Sequence, residues 1–243
     1  KKGVIRFGTG EFGDSLYSEK ETGAARKVAA LLEPYENVIV EFKTKSTNID
    51  ILKEIKNPAK VIIGFSLNTP VMIQEMETKT ASLEERLLAA KKCIDMGFFV
   101  AFHFDPMFVY PDWEVQYRAV VQKIFDYIKS PEKIAWVSLG GFRTMPALKN
   151  ILKEKKMHLS LFAGEMITGI DGKLRYFRPL RVKLYQAMAD EFEKFYPPVT
   201  LYLCMESPEV WNESGLSKRI PNGLVKYLDD RASEMLNLNS STS

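Results

Sequence analysis

Two apolar runs decide the fold class: Val-Ile-Ile-Gly-Phe at residues 61–65 and Phe-Phe-Val-Ala-Phe at residues 98–102. Short, nearly continuous apolar runs are typical of parallel strands that are covered on both faces. Similar segments predict five more strands, at residues 4–9, 37–44, 133–139, 158–162 and 199–205. Amphipathic segments alternate with the strands, at residues 21–32, 49–55, 83–96, 112–128, 146–155, 179–195 and 224–236. The alternation predicts βα units with right-handed crossovers around a parallel sheet.

Polar residues follow almost every predicted strand. They are Glu11, Lys43, Lys45, Ser66, Asn68, His103, Asp105, Ser138, Glu165 and Glu206. Any single one is explained equally well as an ordinary loop residue. Polar residues that converge at the carboxyl ends of successive strands, however, mark the active face of a (β/α) barrel. The recurrence therefore favours an incomplete barrel-like sheet over an open doubly wound one.

The composition describes a compact globular chain. It has 243 residues, of which 46% are hydrophobic and 27% are charged, enough for a sizeable core. The 34 basic and 31 acidic residues give a net charge of +3, which neither demands a nucleic-acid partner nor excludes a local basic patch. No apolar stretch approaches the ~20 residues of a membrane helix, and the N-terminus has no signal-peptide pattern. The chain starts without Met and enters a strand almost at once, so we expect it to be a fragment.

The chain contains two cysteines, Cys93 and Cys204. Two cysteines cannot form a disulfide framework, which favours a reducing, cytoplasmic setting. They also cannot hold an iron–sulfur cluster or a four-thiolate zinc site by themselves. Cys93 lies in an Ala-rich helix and Cys204 in an apolar strand, so both are predicted to be buried and unreactive.

The first two strands end in charged residues of opposite sign. Gly8-Thr9-Gly10-Glu11 allows a tight turn, and its carboxylate can bind an ammonium group. It is not a Rossmann fingerprint because the third glycine is missing, and a plain βα connection explains it as well. Lys43 and Lys45 alternate onto one side of the second strand, where they could bind a carboxylate or simply be solvated.

The next two strands end in hydrogen-bonding and titratable residues. Ser66 and Asn68 lie on one side, where they could bind a polar ligand or cap the following turn. His103 and Asp105 could act as a base and its orienting carboxylate, as two metal ligands, or as a packed strand end. No further His or Cys accompanies them at metal spacing, so we expect no metal site here.

Asp171-Gly172 is a strong turn signal that predicts a hairpin at about residues 164–178. Its basic and aromatic residues are Lys173, Arg175, Tyr176, Phe177, Arg178, Arg181 and Lys183. Basic residues interleaved with aromatic ones can contact phosphates and stack on bases. A solvated surface hairpin packed by its own aromatic residues is the simpler explanation.

Taken in order, several of these segments resemble the radical S-adenosylmethionine enzymes, and within them the spore photoproduct lyase family. The similarity runs from residue 4 to about residue 212. Its segments are Gly-Thr-Gly-Glu at 8–11, Glu-Phe-Lys-Thr-Lys-Ser at 41–46, Phe-Ser-Leu-Asn at 65–68, the stretch 103–118 with Asp112-Trp113-Glu114 and Tyr117-Arg118, and Cys-Met-Glu-Ser-Pro at 204–208.

The resemblance implies an α/β fold, a partial (β/α)6 TIM-like barrel that binds S-adenosylmethionine and a [4Fe–4S] cluster. It implies that the cofactor is cleaved to a 5′-deoxyadenosyl radical, which abstracts hydrogen from the substrate. Carried over to this sequence, Glu11 matches the residue that binds the cofactor's amino group and Lys45 the lysine near its carboxylate. Ser66 and Asn68 match residues along the ribose and methionine region.

On the substrate side, Arg175 and Tyr176 resemble the hairpin pair that reaches the lesion in DNA-repairing members. His103 and Asp105 are predicted to lie nearer the substrate than the cofactor. The expected partners are DNA or another nucleic acid and an electron donor such as flavodoxin or ferredoxin, with no membrane. Residues 1–212 are predicted to form the incomplete barrel, and 213–243 a C-terminal helix and polar tail.

The sequence departs from the family pattern at two places. The CxxxCxxC cluster motif is absent, so we expect the cluster ligands upstream of Lys1 and expect this chain alone to be inactive. No cysteine lies near Gly-Glu-Phe-Gly-Asp at residues 10–14, where true photoproduct lyases carry their hydrogen donor, so the substrate stays open. Two alternatives remain. One is a cluster-free nucleic-acid-binding protein on a degenerate barrel, and the other is an ordinary barrel enzyme that uses His103 and Asp105.

Overall fold

The computed structural model describes residues 3–154, 165–169 and 171–238, and its main feature is a curved sheet of six parallel strands. In chain order the strands are β1 (Ile5–Thr9), β2 (Val38–Thr44), β3 (Val61–Ser66), β4 (Phe99–Met107), β5 (Ile134–Gly141), β6 (Arg143–Thr144), β7 (Met166–Thr168), β8 (Leu174–Tyr176) and β9 (Leu201–Leu203). The main sheet has the order β1-β2-β3-β4-β5-β9. Because this spatial order never reverses, the sheet is a half-barrel and not a doubly wound sheet, as the sequence predicts. The strand predicted at 158–162 lies outside the described residues.

Helices connect the strands. They are α1 (Glu19–Thr22), α2 (Ala24–Leu32), α3 (Pro70–Met76), α4 (Leu83–Asp95), α5 (Trp113–Tyr127), α6 (Pro146–Glu154), α7 (Arg178–Phe195), α8 (Pro208–Glu213) and α9 (Leu224–Met235). Local signals explain most of their ends. Ser82 and Glu85 form a capping box at the start of α4. Gly23, at φ 60°, divides the predicted helix at 21–32 into α1 and α2. None of the described helices is long and apolar enough to cross a membrane.

The two faces of the sheet are covered differently. On the convex face, alternate residues such as Ile63, Phe65 and Phe102 belong to one large apolar core shared with the surrounding helices. On the concave face, α9 covers only the amino-terminal half of the strands. There Leu228, Ala232 and Met235 pack on Ile39, Ile62, Ala101 and Trp136. The predicted C-terminal extension, residues 213–243, thus contributes a helix to the sheet and leaves the carboxyl ends of the strands open.

A second, three-stranded antiparallel sheet stands at the carboxyl end of the barrel, in the order β6-β8-β7. Its pairing of residues 166–168 with 174–176 forms the predicted hairpin, of which residue 164 and Ile170 lie outside the described part. Phe108, Phe142 and Tyr176 form its apolar base. The hairpin is therefore anchored by its own small core next to the open ends of the strands.

Candidate functional site at the open end of the half-barrel

The concave face carries a row of polar residues on the carboxyl-terminal side of the apolar part that α9 covers. Ser66, His103, Ser138 and Tyr202 lie at one register level across β3, β4, β5 and β9. Strand alternation points each of them inward while the residues beside them enter the convex core. The sequence predicts this convergence of strand-end residues.

Glu41 and His103 form a buried pair that crosses over β3. The His103 Nε2 atom lies 2.5 Å from Glu41 Oε1, and the Trp136 indole N–H donates to the same oxygen at 3.3 Å. The crossing is possible because β3 has Gly64 at this point: a Cβ there would stand 2.5 Å from Glu41 Oε1 and 2.9 Å from His103 Nε2. Glu41 is not among the site residues predicted from the sequence, although the alternation that pairs Lys43 with Lys45 also places Glu41 on their side.

The pair is electrostatically matched. Burial alone would raise the pKa of the Glu41 carboxyl, but the charge and hydrogen bond of His103, together with Lys43, lower it below its ordinary value. Glu41 is therefore held as a carboxylate in the interior. His103, predicted to face the substrate, uses Nε2 inside the protein.

Asp105 fills space that a second glycine, Gly140, leaves free. Its carboxylate lies against Gly140, where any side chain would collide with it, and 3.8 Å from the Arg143 guanidinium. Arg143 also donates to the Cys204 carbonyl at 3.2 Å. Burial, followed by the charge of Asp105, raises the pKa of the Cys204 thiol to about 11. This agrees with the predicted inert thiol, but Cys204 is half-buried at the rim of the site, just after β9.

Glu11 and Lys43 form an ion pair at the ends of β1 and β2. Burial alone would lower the pKa of Lys43, but Glu11 and Glu41 raise it above its ordinary value. The turn that carries Glu11 is fixed by Asp14, which accepts from Lys45 N and from Thr44 Oγ1, both at 2.6 Å. A carboxylate and an ammonium group thus stand side by side, but the lysine that pairs with Glu11 is Lys43 and not Lys45.

Lys45 pairs instead with Glu77 of the segment after α3, with Nζ 3.0 Å from Oε1. Three of the predicted residues line one cleft, of about 110 Å³, at the ends of β1, β2 and β3. The cleft is lined by Gly10, Gly13, Asp14, Lys43, Thr44, Lys45 and Ser66. The structure therefore brings Lys43, Lys45 and Ser66 together, with Glu11 joined to them through Lys43.

Asn68 lies apart from this cleft and is buried. Its Oδ1 accepts from Tyr117 Oη at 2.7 Å and from Thr69 N at 3.0 Å, while Nδ2 donates to Pro106 O at 3.0 Å. These bonds link the ends of β3 and β4, which is the capping role weighed in the sequence. Contact between Asn68 and a cofactor stays a prediction.

The hairpin residues divide into buried and accessible ones. Tyr176 has no exposed surface, and its hydroxyl accepts from Val109 N at 3.1 Å, so it offers no surface to a substrate in this conformation. Arg175 pairs with Asp171 at 2.5 Å, and its Nε is buried without a hydrogen-bond partner. Arg181 is buried against Glu206. The accessible aromatic residue is Phe177, which is 42% exposed.

The described part of the chain holds no group of three or more His, Cys, Asp or Glu side chains that could bind a metal. Cys93 is buried in α4 on the convex side, where burial raises the pKa of its thiol, and Cys204 lies on the concave side. Two cysteines on opposite sides of the sheet do not fit an iron–sulfur cluster.

A family model described as spore photoproduct lyase matches residues 2–177, which is most of the chain. The chain belongs to the spore photoproduct lyase family. The radical S-adenosylmethionine superfamily follows from this membership, as the sequence motifs predict. Sequence relatives agree: the spore photoproduct lyase of Clostridium acetobutylicum is 28% identical over 132 residues, and that of Bacillus subtilis 31% over 85 residues.

Solved structures of family members confirm the fold. A spore photoproduct lyase variant with a cysteine replaced by alanine superimposes with a TM-score of 0.76 at 22% identity, over 83% of this chain and 62% of that one. Another variant, solved with bound AdoMet and dinucleoside spore photoproduct, gives 0.74 at 21% identity. The matched stretches span 39% of the Clostridium acetobutylicum protein and 25% of the Bacillus subtilis protein.

Proposed function

We propose that the intact protein is a radical S-adenosylmethionine enzyme that abstracts hydrogen from a nucleic-acid substrate. The observation that carries the proposal is the cleft of Lys43, Lys45 and Ser66 beside the Glu11 carboxylate, in a chain of this family. Bound S-adenosylmethionine would supply the radical that takes the hydrogen atom.

The charges of the cleft suit the methionine end of the cofactor. A zwitterionic amino acid needs an anion for its ammonium group and a cation for its carboxylate. Glu11 is 65% exposed, so it is free to exchange Lys43 for a ligand ammonium, and Lys45 lies at the next strand end. Gly8 has open space where a side chain would be, which lets a ligand approach the backbone of β1. Ser66 adds a hydroxyl to the same cleft.

The substrate side is proposed to be the small hairpin sheet and the residues around Asp105. Relatives of this fold have been solved with dinucleoside spore photoproduct, which supports a nucleic-acid substrate. Arg143 and Arg175 lie opposite each other in the β6–β8 pair, where two cations favour an anion between them. Phe177, exposed beside them, is better placed than Tyr176 to stack on a base.

Other elements of the proposal rest on the family and on composition. An electron donor such as flavodoxin or ferredoxin would act with the protein, and two cysteines without a disulfide support a cytoplasmic setting. Residues 10–14 contain no cysteine, so no thiol of that loop would donate hydrogen. The proposed substrate class is therefore nucleic acid, without a particular DNA lesion.

Cofactor binding tests the proposal. We expect Glu11→Ala in the full-length protein to weaken S-adenosylmethionine binding by about 1.5–3 kcal/mol, the range for hydrogen bonds to charged groups. Isothermal titration calorimetry measures the affinity, and Glu36→Ala, at an exposed carboxyl just before the amino end of β2, is the control. An unchanged affinity in Glu11→Ala would remove this residue from the site.

The basic hairpin supports a second candidate, a nucleic-acid-binding protein that needs no cluster. It predicts DNA affinity with a steep dependence on salt and no binding of S-adenosylmethionine. Iron and acid-labile sulfide, measured on the intact gene product purified without oxygen, separate the two. About four of each per chain support the enzyme, since that is the content of one [4Fe–4S] cluster. No iron after reconstitution supports the binding protein.

A further inference from the structure

Arg86 of α4 is fully buried although it carries a full charge. Its guanidinium donates to Ala81 O at 2.9 Å, Ser66 O at 2.8 Å, Thr80 Oγ1 at 2.9 Å and Glu77 Oε2 at 2.5 Å. A buried cation is tolerated only when paired and hydrogen-bonded in this way. Arg86 therefore joins the end of β3 to the segment between α3 and α4.

Glu77 extends this network to the cleft. Its side chain is 10% exposed, and its two oxygens have different partners: Oε2 receives Arg86, while Oε1 lies 3.0 Å from Lys45 Nζ. Lys45 is 38% exposed and lines the cleft with Ser66. Through Glu77, a residue of the protein interior determines where the lysine ammonium stands.

The three charged side chains of this network have a net charge of plus one. Arg86, Glu77 and Lys45 carry two positive charges and one negative charge. Were Glu77 not paired with Arg86, its charge would cancel that of Lys45 for an incoming carboxylate. Because Arg86 neutralises Glu77, the carboxylate of Glu77 can hold Lys45 in place while one positive charge remains for the ligand.

We propose that Glu77 and Arg86 are positioning residues for the cofactor carboxylate: Glu77 orders Lys45, and Arg86 holds both Glu77 and the backbone of Ser66. The inference rests on the proposed function, because it assigns a role to residues behind Lys45. Ordering Lys45 in advance matters because a free lysine side chain loses much rotamer freedom when it is fixed on binding.

The experiment is a double-mutant cycle on the full-length protein with S-adenosylmethionine as the ligand. We expect Glu77→Gln to weaken binding about tenfold, since the ordering of one lysine is lost. Lys45→Met should weaken binding by at least about tenfold, and Glu77→Gln should add nothing in the Lys45→Met background. Glu75→Gln, an exposed carboxyl on α3, is the matched control.

A second ligand separates positioning from a general structural role. 5′-Methylthioadenosine has no amino-acid carboxylate, so its affinity should be the same for the wild type and for Glu77→Gln. Glu77→Gln is preferred to Arg86→Met because it keeps a side-chain oxygen that accepts from Arg86, whereas Arg86→Met also removes the hydrogen bonds to Ser66 O and Ala81 O.

Five results would overturn the inference. Equal weakening by Glu77→Gln in both backgrounds, or weakening for 5′-methylthioadenosine too, would show a structural role only. Tighter binding in Glu77→Gln would show that Glu77 competes with the ligand. If Lys45→Met left the affinity for S-adenosylmethionine unchanged, neither Lys45 nor the network behind it would contribute to binding, while Glu11→Ala would still test the proposed function. If the wild-type protein bound no S-adenosylmethionine, both this inference and the proposed function would be wrong.

Discussion

The convex and concave faces of the half-barrel are built from the same strands with opposite chemistry. On the convex face, residues such as Ile63, Phe65 and Phe102 form a continuous apolar core with the helices. On the concave face, their immediate neighbours include Gly64, His103 and Asp105. Above α9 these inward residues form ion pairs and line clefts instead of an apolar core.

The difference shows how one sheet can provide both an apolar core and a polar site. Strand alternation sends every second residue to the other face, so one strand can carry apolar residues for the core and polar residues for the site. On the concave face, two glycines leave the space that charged side chains of neighbouring strands fill. Gly64 admits the Glu41–His103 pair and Gly140 admits Asp105, each from a neighbouring strand.

The largest effect is expected on the convex face. Phe102→Ala removes a fully buried ring and should lower the free energy of unfolding by about 3–5 kcal/mol, through lost burial and the cavity left behind. Urea unfolding measures the change. Phe12→Ala, at a fully exposed ring, should change it by less than about 0.5 kcal/mol. A small effect at Phe102 would contradict the division of labour between the faces.

Glu41→Gln tests the concave pair. Loss of the charged hydrogen bond to His103 should cost about 1.5–3 kcal/mol at neutral pH. Because the pKa of folded Glu41 is lowered, its contribution is fully present above the unfolded pKa of about 4.3 and is lost as pH falls from that value through the lower folded pKa. The difference in unfolding free energy between wild type and variant should therefore shrink steadily as pH falls below about 4.3. Glu36→Gln is the control, and a constant difference across pH would contradict the account.

Gly64→Ala tests whether the Glu41–His103 pair needs the space that the glycine leaves free. The added Cβ would stand 2.5 Å from Glu41 Oε1, so the buried pair must shift, at an expected cost of about 1–3 kcal/mol. Gly13→Ala is the matched control, since no atom lies within 4 Å of its added Cβ. Equal denaturation midpoints for the two variants would show that the pair has room to move.

The smallest effect concerns the two thiols, one on each side of the sheet. Asp105 raises the pKa of Cys204, so Asp105→Asn should speed alkylation of Cys204 by iodoacetamide at pH 8 by about three- to tenfold. Cys93, in the convex core, is an internal control and should not respond. Peptide mass spectrometry follows both. Equal acceleration of both thiols would indicate general loosening of the fold.

Local patterns predicted the elements well. The strands β1 to β5 begin within one residue of the predicted starts, and the predicted hairpin is confirmed. Two short helices, α3 and α8, were missed. Each starts with a hydroxyl residue followed by Pro, at Thr69-Pro70 and Ser207-Pro208, which is a recognisable start signal.

The candidate site was predicted in part. Strand ends located Glu11, Lys45, Ser66, His103 and Asp105, and the structure shows what each contacts. Glu77 and Arg86 carry no such signal, because one follows a short unpredicted helix and the other lies inside α4. Tyr176 lies in the hairpin core, and its contact with a substrate stays a prediction.

The sequence by itself determined the strands β1 to β5 and the polar character of their carboxyl ends, because alternation and turns act over a few residues. Only the tertiary structure decided which charges meet. Glu41 and His103 are 62 positions apart, and Lys45 and Glu77 are 32 positions apart in the sequence. Their pairing therefore depends on strand register, on sheet curvature and, for Glu41 and His103, on the space left by Gly64. Those properties arise from the packing of the whole half-barrel, which no short segment encodes.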